Sequence, residues 1–434
     1  MSSRSSCRAK RGLPRRVSLG LALLLAGCVS QPMAPVLEPP ELGRPVAAGI
    51  AQSEFAGLLD ADVLGRLVLL QGPGLAEARA ELRVLGIALD LGRRPAAPML
   101  ALSLRPGGML GLEAMLLQPL AELMNRDLLD RRSELRRVEA ITAYAERALD
   151  ALLEAQRQLH AAIVGRQLIA LSAQAIALAE DRLDRARRQH RAGEVDTAAL
   201  REAQSELQSI RLERAREEHA QAERLQALAW AAGLADAGQI QLPDDLPELW
   251  ASLAAAEANE PSSVNESLNV RRQRLQLERA TLQHLLQQRW ATRWMPGLGL
   301  EAGRGMGGTL LLEFSPPAWQ RQHLQQALSA GEASLQALRL EQAEARQALA
   351  VQAALLRLDA AGRAEQQARA RHALRQEEQQ RMRELMASGE AGLGPYWAAA
   401  AARIEAEREH WQAQQTSLDA GLDLVSALGR LPDR

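Results

Sequence analysis

The sequence predicts a mainly α-helical fold, in which long antiparallel helices form a coiled-coil-like array and two short β-hairpins interrupt them. Three observations predict it. Aromatic residues make up only 3% of the 434 residues, while Ala, Leu, Arg, Glu and Gln dominate, a composition typical of long helices. Residues 121–191 contain no proline and a single glycine, Gly165. Finally, landmark glycines and prolines recur at one offset along the chain, which indicates an internal repeat.

The body of the chain is predicted to be a tandem duplication. The recurring landmarks are four pairs: Gly193 and Gly389, Gly233 and Gly429, Pro98 and Pro296, and Pro119 and Pro316. The members of each pair lie 196 to 198 residues apart. This spacing predicts two repeats, residues 51–242 and 243–434, with the same order of elements.

The N-terminus resembles a lipoprotein signal peptide. Six basic residues and no acidic one occur in residues 1–27, which end in the apolar run VSLGLALLLAG. This run is too short for a permanent membrane span. The adjoining LAGC at residues 25–28 resembles the bacterial lipoprotein cleavage box, which predicts a signal peptide over residues 1–27 and acylation of Cys28. The alternative is an ordinary secretory signal with an incidental cysteine.

The residue after Cys28 is Val29. Among lipoproteins an aspartate there usually means retention in the inner membrane, so the resemblance implies the outer membrane, with several acyl chains as a stable anchor. The proline-rich residues 28–50 are predicted to be an extended tether.

Charge and cysteine content exclude two classes of site. Without its signal peptide the chain has 46 basic and 53 acidic residues, so no nucleic-acid partner is suggested. Cys7 leaves with the signal peptide, and Cys28 alone supports neither a disulfide nor a cysteine metal site.

Each repeat is predicted to contain a modest helix, a β-hairpin, a very long helix and a shorter return helix. The hairpins are expected because apolar residues alternate around the glycine-rich segments RPGG and GRGMGG. At 1.5 Å per residue the long helices reach roughly 100 Å. The predicted ranges are about 75–92, 98–118, 120–191 and 196–232 in the first repeat, and about 263–291, 296–316, 319–387 and 396–428 in the second.

Leucines and isoleucines at heptad spacing predict how the long helices pack. Heptad a and d positions form the contact seam of a coiled coil. The residues at these intervals are Leu149, Leu152, Leu159 and Ile163 in the first repeat, and Leu335, Leu338, Leu349 and Leu356 in the second.

Each long helix is predicted to end in a tight turn, at residues 189–197 and 386–396. Gly193 and Gly389 interrupt otherwise helical sequence, and glycine tolerates the left-handed backbone that ends many helices. Asp196 or Thr197 is expected to cap the first return helix.

These landmarks together resemble the outer-membrane efflux protein family, the TolC-like exit ducts. The resemblance covers residues 60–430 and rests on the lipoprotein box, the duplicated repeats, and a basic residue followed by a glycine before each return helix. It implies a docking tip made of both turns. The tip residues that it assigns are Arg188, Gly193 and Glu194 in the first repeat, and Arg383, Gly389 and Glu390 in the second.

The resemblance also implies what the protein does. Three chains would form a twelve-stranded barrel in the outer membrane and a helical cylinder in the periplasm. This passive duct would meet a periplasmic adaptor (membrane fusion) protein and an inner-membrane pump of RND, ABC or MFS type, in efflux or type I secretion. No enzyme activity, catalytic residue, metal or cofactor is expected.

Two features depart from the family pattern. The strands are predicted to hold only six to nine residues, too few at about 3.3 Å each for the roughly 25 Å apolar band of a membrane barrel. The alternative function is therefore a non-conducting periplasmic scaffold or adaptor-binding lipoprotein. At the tip, some family members carry carboxylates soon after the glycine. Here Glu194, Asp196 and Glu202 follow the first turn, but only Glu390 follows the second, with Pro395 where a carboxylate would be expected.

The remaining motifs favour ordinary structure. The GxGxxG at residues 303–308 leads into strand-like sequence rather than a helix, so a hairpin turn is expected instead of a nucleotide site. The run 181–185, DRLDR, is expected to pair locally on an exposed helix face. Solvated helix faces are expected for the seven histidines, which are His160, His190, His219, His284, His323, His372 and His410.

Overall fold

The fold is known from a computed structural model. The structure describes residues 58–93, 99–105, 109–115, 125–246, 267–288, 295–302, 306–313 and 318–429. The predicted signal peptide, Cys28 and the tether lie outside these residues.

Seven α-helices and four β-strands make up the described part of the chain. In the first repeat they are α1 Ala61–Gln71, α2 Pro73–Arg93, β1 Met99–Arg105, β2 Met109–Met115, α3 Arg126–Arg191 and α4 Thr197–Ala232. In the second repeat they are α5 Leu268–Gln288, β3 Met295–Ala302, β4 Met306–Glu313, α6 Ala318–Ala387 and α7 Leu393–Leu428. A short 3₁₀ helix, Ala237–Gln239, follows α4.

Helix α1 is an element that the sequence reasoning missed. It begins after Asp60, whose side chain accepts a hydrogen bond from the Val63 backbone N–H at 2.7 Å, the usual contact of an N-cap. It ends at Gly72, and Pro73 starts α2 in the first helical position, where no backbone donor is needed. Leu64 and Leu67 of α1 are buried in the core.

Helix α3 lies at the centre of the helical array, where α1, α2, α4, α5 and α7 all pack against it. Its predicted heptad residues Leu149, Leu152, Leu159 and Ile163 are buried. Among the described helices α3 alone is long and apolar enough to cross a bilayer by length and composition. Packing against five neighbouring helices accounts for part of this apolarity, since 39% of the apolar window is buried.

Helix α6, the second-repeat equivalent of α3, has fewer partners. It packs against α5 and α7 through a face that includes Val351 and Ala354. The second heptad set points the other way and is exposed in the single chain. The heptad pattern therefore identified an apolar face correctly, but this chain covers that face only on α3.

The four strands form one antiparallel sheet in the order β1-β2-β3-β4. Pairing of β2 with β3 joins the two repeats, because Leu112–Met115 pair with Gly299–Ala302. Pro296 of β3 lies outside this paired stretch, so its missing N–H costs no hydrogen bond to β2. The predicted turn GRGMGG is too long, since Gly307 and Gly308 belong to β4 and pair with Glu301 and Leu300.

Candidate functional site: the two helical turns

The first turn joins α3 to α4 and is closed by backbone hydrogen bonds. The Gly193 N–H donates to the His190 carbonyl at 3.0 Å, and the Glu194 N–H donates to the Gln189 carbonyl at 2.9 Å. Gly193 has φ +78°, a left-handed conformation that costs residues with a Cβ about 1–2 kcal/mol. His190 also contacts the Val195 carbonyl through Nδ1 at 3.0 Å. The turn is therefore ordered by its own backbone.

Asp196 is the N-cap of α4. Its carboxylate accepts a hydrogen bond from the Ala199 backbone N–H at 2.9 Å. Thr197 is the first helical residue. The return helix therefore starts with a satisfied donor and a negative charge at its positive end.

The second turn, between α6 and α7, repeats this backbone geometry with different side chains. Gly389 has φ +80°, and the Glu390 N–H donates to the Leu385 carbonyl at 2.9 Å. The N-cap of α7 is Gly392, which offers no side-chain acceptor. Pro395 falls in the first helical turn, where a missing N–H is tolerated. The return helix thus begins earlier than predicted, at Leu393.

The charged residues of both turns face solvent. Arg188 and Glu194 at the first turn are exposed, as are Arg383 and Glu390 at the second. In the described part of the chain none of these four side chains forms an ion pair. Arg185 by contrast lies over the Trp397 ring, 5.4 Å from its centroid.

The Arg185–Trp397 contact joins the two repeats close to their turns, since Arg185 belongs to α3 and Trp397 to α7. Further along, Arg403 of α7 donates to the Gln174 side chain of α3. Sequence reasoning missed both contacts, because nothing in either local sequence indicates a partner more than two hundred residues away.

The prediction that the run DRLDR pairs locally on an exposed helix face is only partly correct. Asp184 does pair with Arg187, three residues on, at 3.0 Å. Arg182 instead binds Glu206 of α4, and Leu183 is buried in a small apolar cluster with Ala179 and Leu207. Arg182 and Leu183 therefore hold the α3–α4 hairpin together rather than lying free on a surface.

The expectation of solvated histidines is wrong at four positions, one of which is His284, whose Nδ1 lies 2.9 Å from the buried Ser329 Oγ of α6. His160 is 2% exposed, and its Nδ1 lies 3.3 Å from Asp419 Oδ1 of α7. The rings of His372 and His410 stack between α6 and α7, with centroids 5.9 Å apart and planes tilted by 6°. Within the described residues no three His, Cys, Asp or Glu side chains gather as a metal site.

No protein-family model matches the chain, and no curated protein matches it in sequence. Solved structures match its fold. A membrane protein from Pseudomonas aeruginosa has a TM-score of 0.66 at 16% identity, covering 93% of this chain and 98% of its own.

Two outer-membrane proteins are similarly close. VceC from Vibrio cholerae has a TM-score of 0.66 at 12% identity, covering 86% of this chain and 97% of its own. The CmeC outer membrane channel of Campylobacter jejuni has a TM-score of 0.64 at 13% identity, covering 93% of this chain and 96% of its own. Over most of its length the chain therefore has the fold of TolC-like outer-membrane efflux channels.

Proposed function

We propose that three copies of this chain form a passive exit duct at the outer membrane. The helical turns of all three copies dock to a periplasmic adaptor, which links the duct to an inner-membrane pump. The observation that carries the proposal is the exposed apolar face of α6. It is the face that a ring of repeats needs and that one chain leaves uncovered.

The apolar face of α6 is a stripe of leucines, called here the α6 stripe. At about 100° per residue, the seven exposed leucines fall within roughly 80° of one another around the helix. They are Leu324, Leu328, Leu335, Leu338, Leu349, Leu356 and Leu374. A stripe of this length on a soluble surface indicates a protein interface.

Duplication indicates which partner covers the α6 stripe. Leu349 and Leu356 are 65% and 70% exposed, but their first-repeat counterparts 196 residues earlier, Leu153 and His160, are only 3% and 2% exposed. Leu153 packs with residues of α7, and His160 contacts Asp419 of α7. The equivalent partner of α6 is therefore α4 of another copy.

The face of α4 that would meet the stripe is also uncovered. In α7, Ile404, Trp411 and Leu418 pack against the core around α3. Their first-repeat counterparts on α4 are Gln208, Ala215 and Ala222, all exposed. Small alanines opposite large leucines allow the two helices to approach closely. A contact between unlike faces of identical chains closes into a ring when the rotation permits.

The described sheet also leaves its two edge strands without a neighbour on one side. Strands β1 and β4 lie at its two ends, and exposed edge strands pair readily with further strands. Pairing of β4 with β1 of the next copy would close the sheet. Three copies with four strands each would give the twelve strands that the family resemblance implies.

Native mass spectrometry of the detergent-solubilised protein tests the ring. The wild-type protein is expected at three chain masses. Leu349→Glu with Leu356→Glu is expected to give single chains, because carboxylates would be buried at the interface. Ala350→Glu is the matched control, since Ala350 is also exposed but lies about 100° from Leu349 around the helix. A stable wild-type monomer would overturn the proposal.

Docking through the turns is tested by substitutions that cannot adopt the backbone conformation of the turns. Proline fixes φ near −65°, whereas Gly193 and Gly389 need φ near +80°. Gly193→Pro with Gly389→Pro is therefore expected to abolish efflux or secretion while export and trimer mass stay unchanged. Full transport by this variant would refute the docking assignment.

A photo-crosslinking residue gives a direct test of the partner. Placed at Glu194 or Glu390 in cells, it is expected to trap an adaptor protein. The same residue at Arg216, exposed in the middle of α4, is the control and should not. Equal capture at all three positions would contradict a docking tip.

The second candidate is a trimeric scaffold that does not cross the outer membrane, and the strand lengths favour it. The strands hold seven or eight residues, which at about 3.3 Å per residue and a 45° tilt rise roughly 17 Å. Single-channel recording in planar bilayers separates the two functions. Surface labelling of cysteines that replace Gly107 and Arg304, between the paired strands, also separates the two functions. Efficient labelling in intact cells requires a barrel that crosses the outer membrane.

Lipid attachment at Cys28 completes the proposal. Cys28→Ser is expected to abolish metabolic labelling with a radioactive fatty acid and to leave the signal uncleaved by the lipoprotein peptidase. Persistent labelling of this variant would rule out Cys28 as the acylated residue.

A further inference from the structure

The stacked pair His372–His410 is unlike the other contacts between α6 and α7. Its ring centroids lie 5.9 Å apart and the planes are within 6° of parallel. His410 Nδ1 is buried and has no hydrogen-bond partner. Two imidazoles can stack in this way when at least one is neutral, because two cations at this distance repel each other.

We propose that the His372–His410 pair is a proton-sensitive lock on the α6–α7 hairpin. With a neutral His410 ring the two helices pack against each other, and protonation of His410 in mild acid loosens the hairpin locally. The pair lies 17 residues before and 21 residues after Gly389, about 25 to 32 Å from the turn at 1.5 Å per residue.

The surrounding charges are largely paired with one another and do not neutralise a protonated His410. Glu407 Oε2 lies 3.9 Å from His372 Nε2, but the same carboxylate already binds Arg403. On α6, Glu365 raises the pKa of His410 and Arg369 lowers it, so their effects oppose each other. Arg371 and Glu409, which adjoin the two histidines in the sequence, bind each other, and Arg408 of α7 binds Glu213 of α4.

Burial lowers the pKa of His410 below its ordinary value of 6.5, and the neighbouring His372 lowers it further. The unfolded hairpin therefore binds more protons than the folded one near this pH. Folded-state stability is fully present above pH 6.5 and is lost as the pH falls toward the depressed pKa. Acid is the direction that opens the lock.

The first repeat provides an internal control, because it lacks the lock. The positions equivalent to His372 and His410 are Ile176 and Arg214. Ile176 packs in the apolar cluster around Leu183, and Arg214 pairs with Glu218 on its own helix. Protonation is expected to loosen one of the two hairpins and leave the other unchanged.

Hydrogen exchange of the purified full-length chain at pH 5.5 and 7.5 tests the lock. After correction for intrinsic exchange rates, protection of residues 365–380 and 403–415 is expected to fall severalfold in acid. Protection of residues 170–182 and 205–216 should not change. Equal behaviour of the two hairpins would overturn the proposal, whether or not the protein conducts.

Substitutions identify the responsible group. His410→Phe keeps a ring that can stack but cannot titrate, so its hairpin is expected to keep full protection at pH 5.5. His372→Gln is a second variant that removes one charge without a large apolar side chain. His219→Gln, at a histidine 78% exposed on its side chain, should behave as wild type. Unchanged acid loosening in both pair variants would refute the assignment.

Discussion

Gly233 and Gly193 have nearly the same backbone conformation but different surroundings. Their φ values are +71° and +78°, and each residue ends a long helix with an N–H bonded to the carbonyl three residues before. A Cβ added at Gly193 meets nothing within 4 Å. A Cβ added at Gly233 lies 2.7 Å from the Gln71 carbonyl oxygen, which belongs to the backbone of α1. Replacing each by alanine therefore separates conformational strain from a steric clash.

The expected free-energy losses follow from these two terms. Left-handed backbone costs alanine about 1–2 kcal/mol, and the reduced entropy of the unfolded chain returns about 0.4–1 kcal/mol. Gly193→Ala should therefore lower the free energy of unfolding by about 1 kcal/mol. At Gly233 the backbone of α1 must also move, and such overpacking adds about 1–3 kcal/mol. Gly233→Ala should lower it by about 2–4 kcal/mol.

Thermal unfolding followed by circular dichroism compares the two variants in one detergent at one protein concentration. The loss of Tm for Gly233→Ala is expected to be at least twice that for Gly193→Ala. Hydrogen exchange should locate the extra loss at residues 61–71, where α1 contacts Gly233. Equal Tm losses would refute the steric argument, because the backbone terms are the same in both variants.

Three further predictions concern single contacts. Asp196→Ala removes the cap on the Ala199 N–H and should cost about 1 kcal/mol, with faster amide exchange confined to the start of α4; unchanged exchange would contradict this. Arg157→Ala removes the ion pair with Asp423, but since these side chains are 34% and 42% exposed the loss in denaturant unfolding should stay below about 1 kcal/mol. Leu159→Ala creates a cavity at a side chain that is 0% exposed and should cost about 2–5 kcal/mol in the same assay; a smaller loss would mean that the core collapses to fill it.

Local sequence carried most of the information about the helices. The glycine breaks at Gly193 and Gly389 were visible because glycine is rare in the long helices and tolerates the left-handed backbone. Duplication then indicated that both breaks are the same kind of turn. Helix α1 was missed because its 11 residues are too few to show a clear helical period, and because Gly72 and Pro73 separate it from α2.

Charged and polar contacts across the repeats were beyond sequence reasoning. Arg185 could pair locally with Asp181, yet it lies over Trp397. His160 meets Asp419 from 259 residues away. Spacing along a helix limits local partners to three or four residues, and says nothing about which distant helix packs alongside.

The sequence by itself determined the long helices and the glycine turns that end them, because periodicity and glycine placement are local signals, and its recurring landmarks predicted the two repeats. Only the tertiary structure decided that the leucines of α3 are buried while those of α6 are exposed, although both sets have the same heptad spacing. The physical reason is the number of neighbours. Helix α3 lies among five helices and α6 between two, so leucines at heptad intervals form a core in one repeat and an uncovered face in the other.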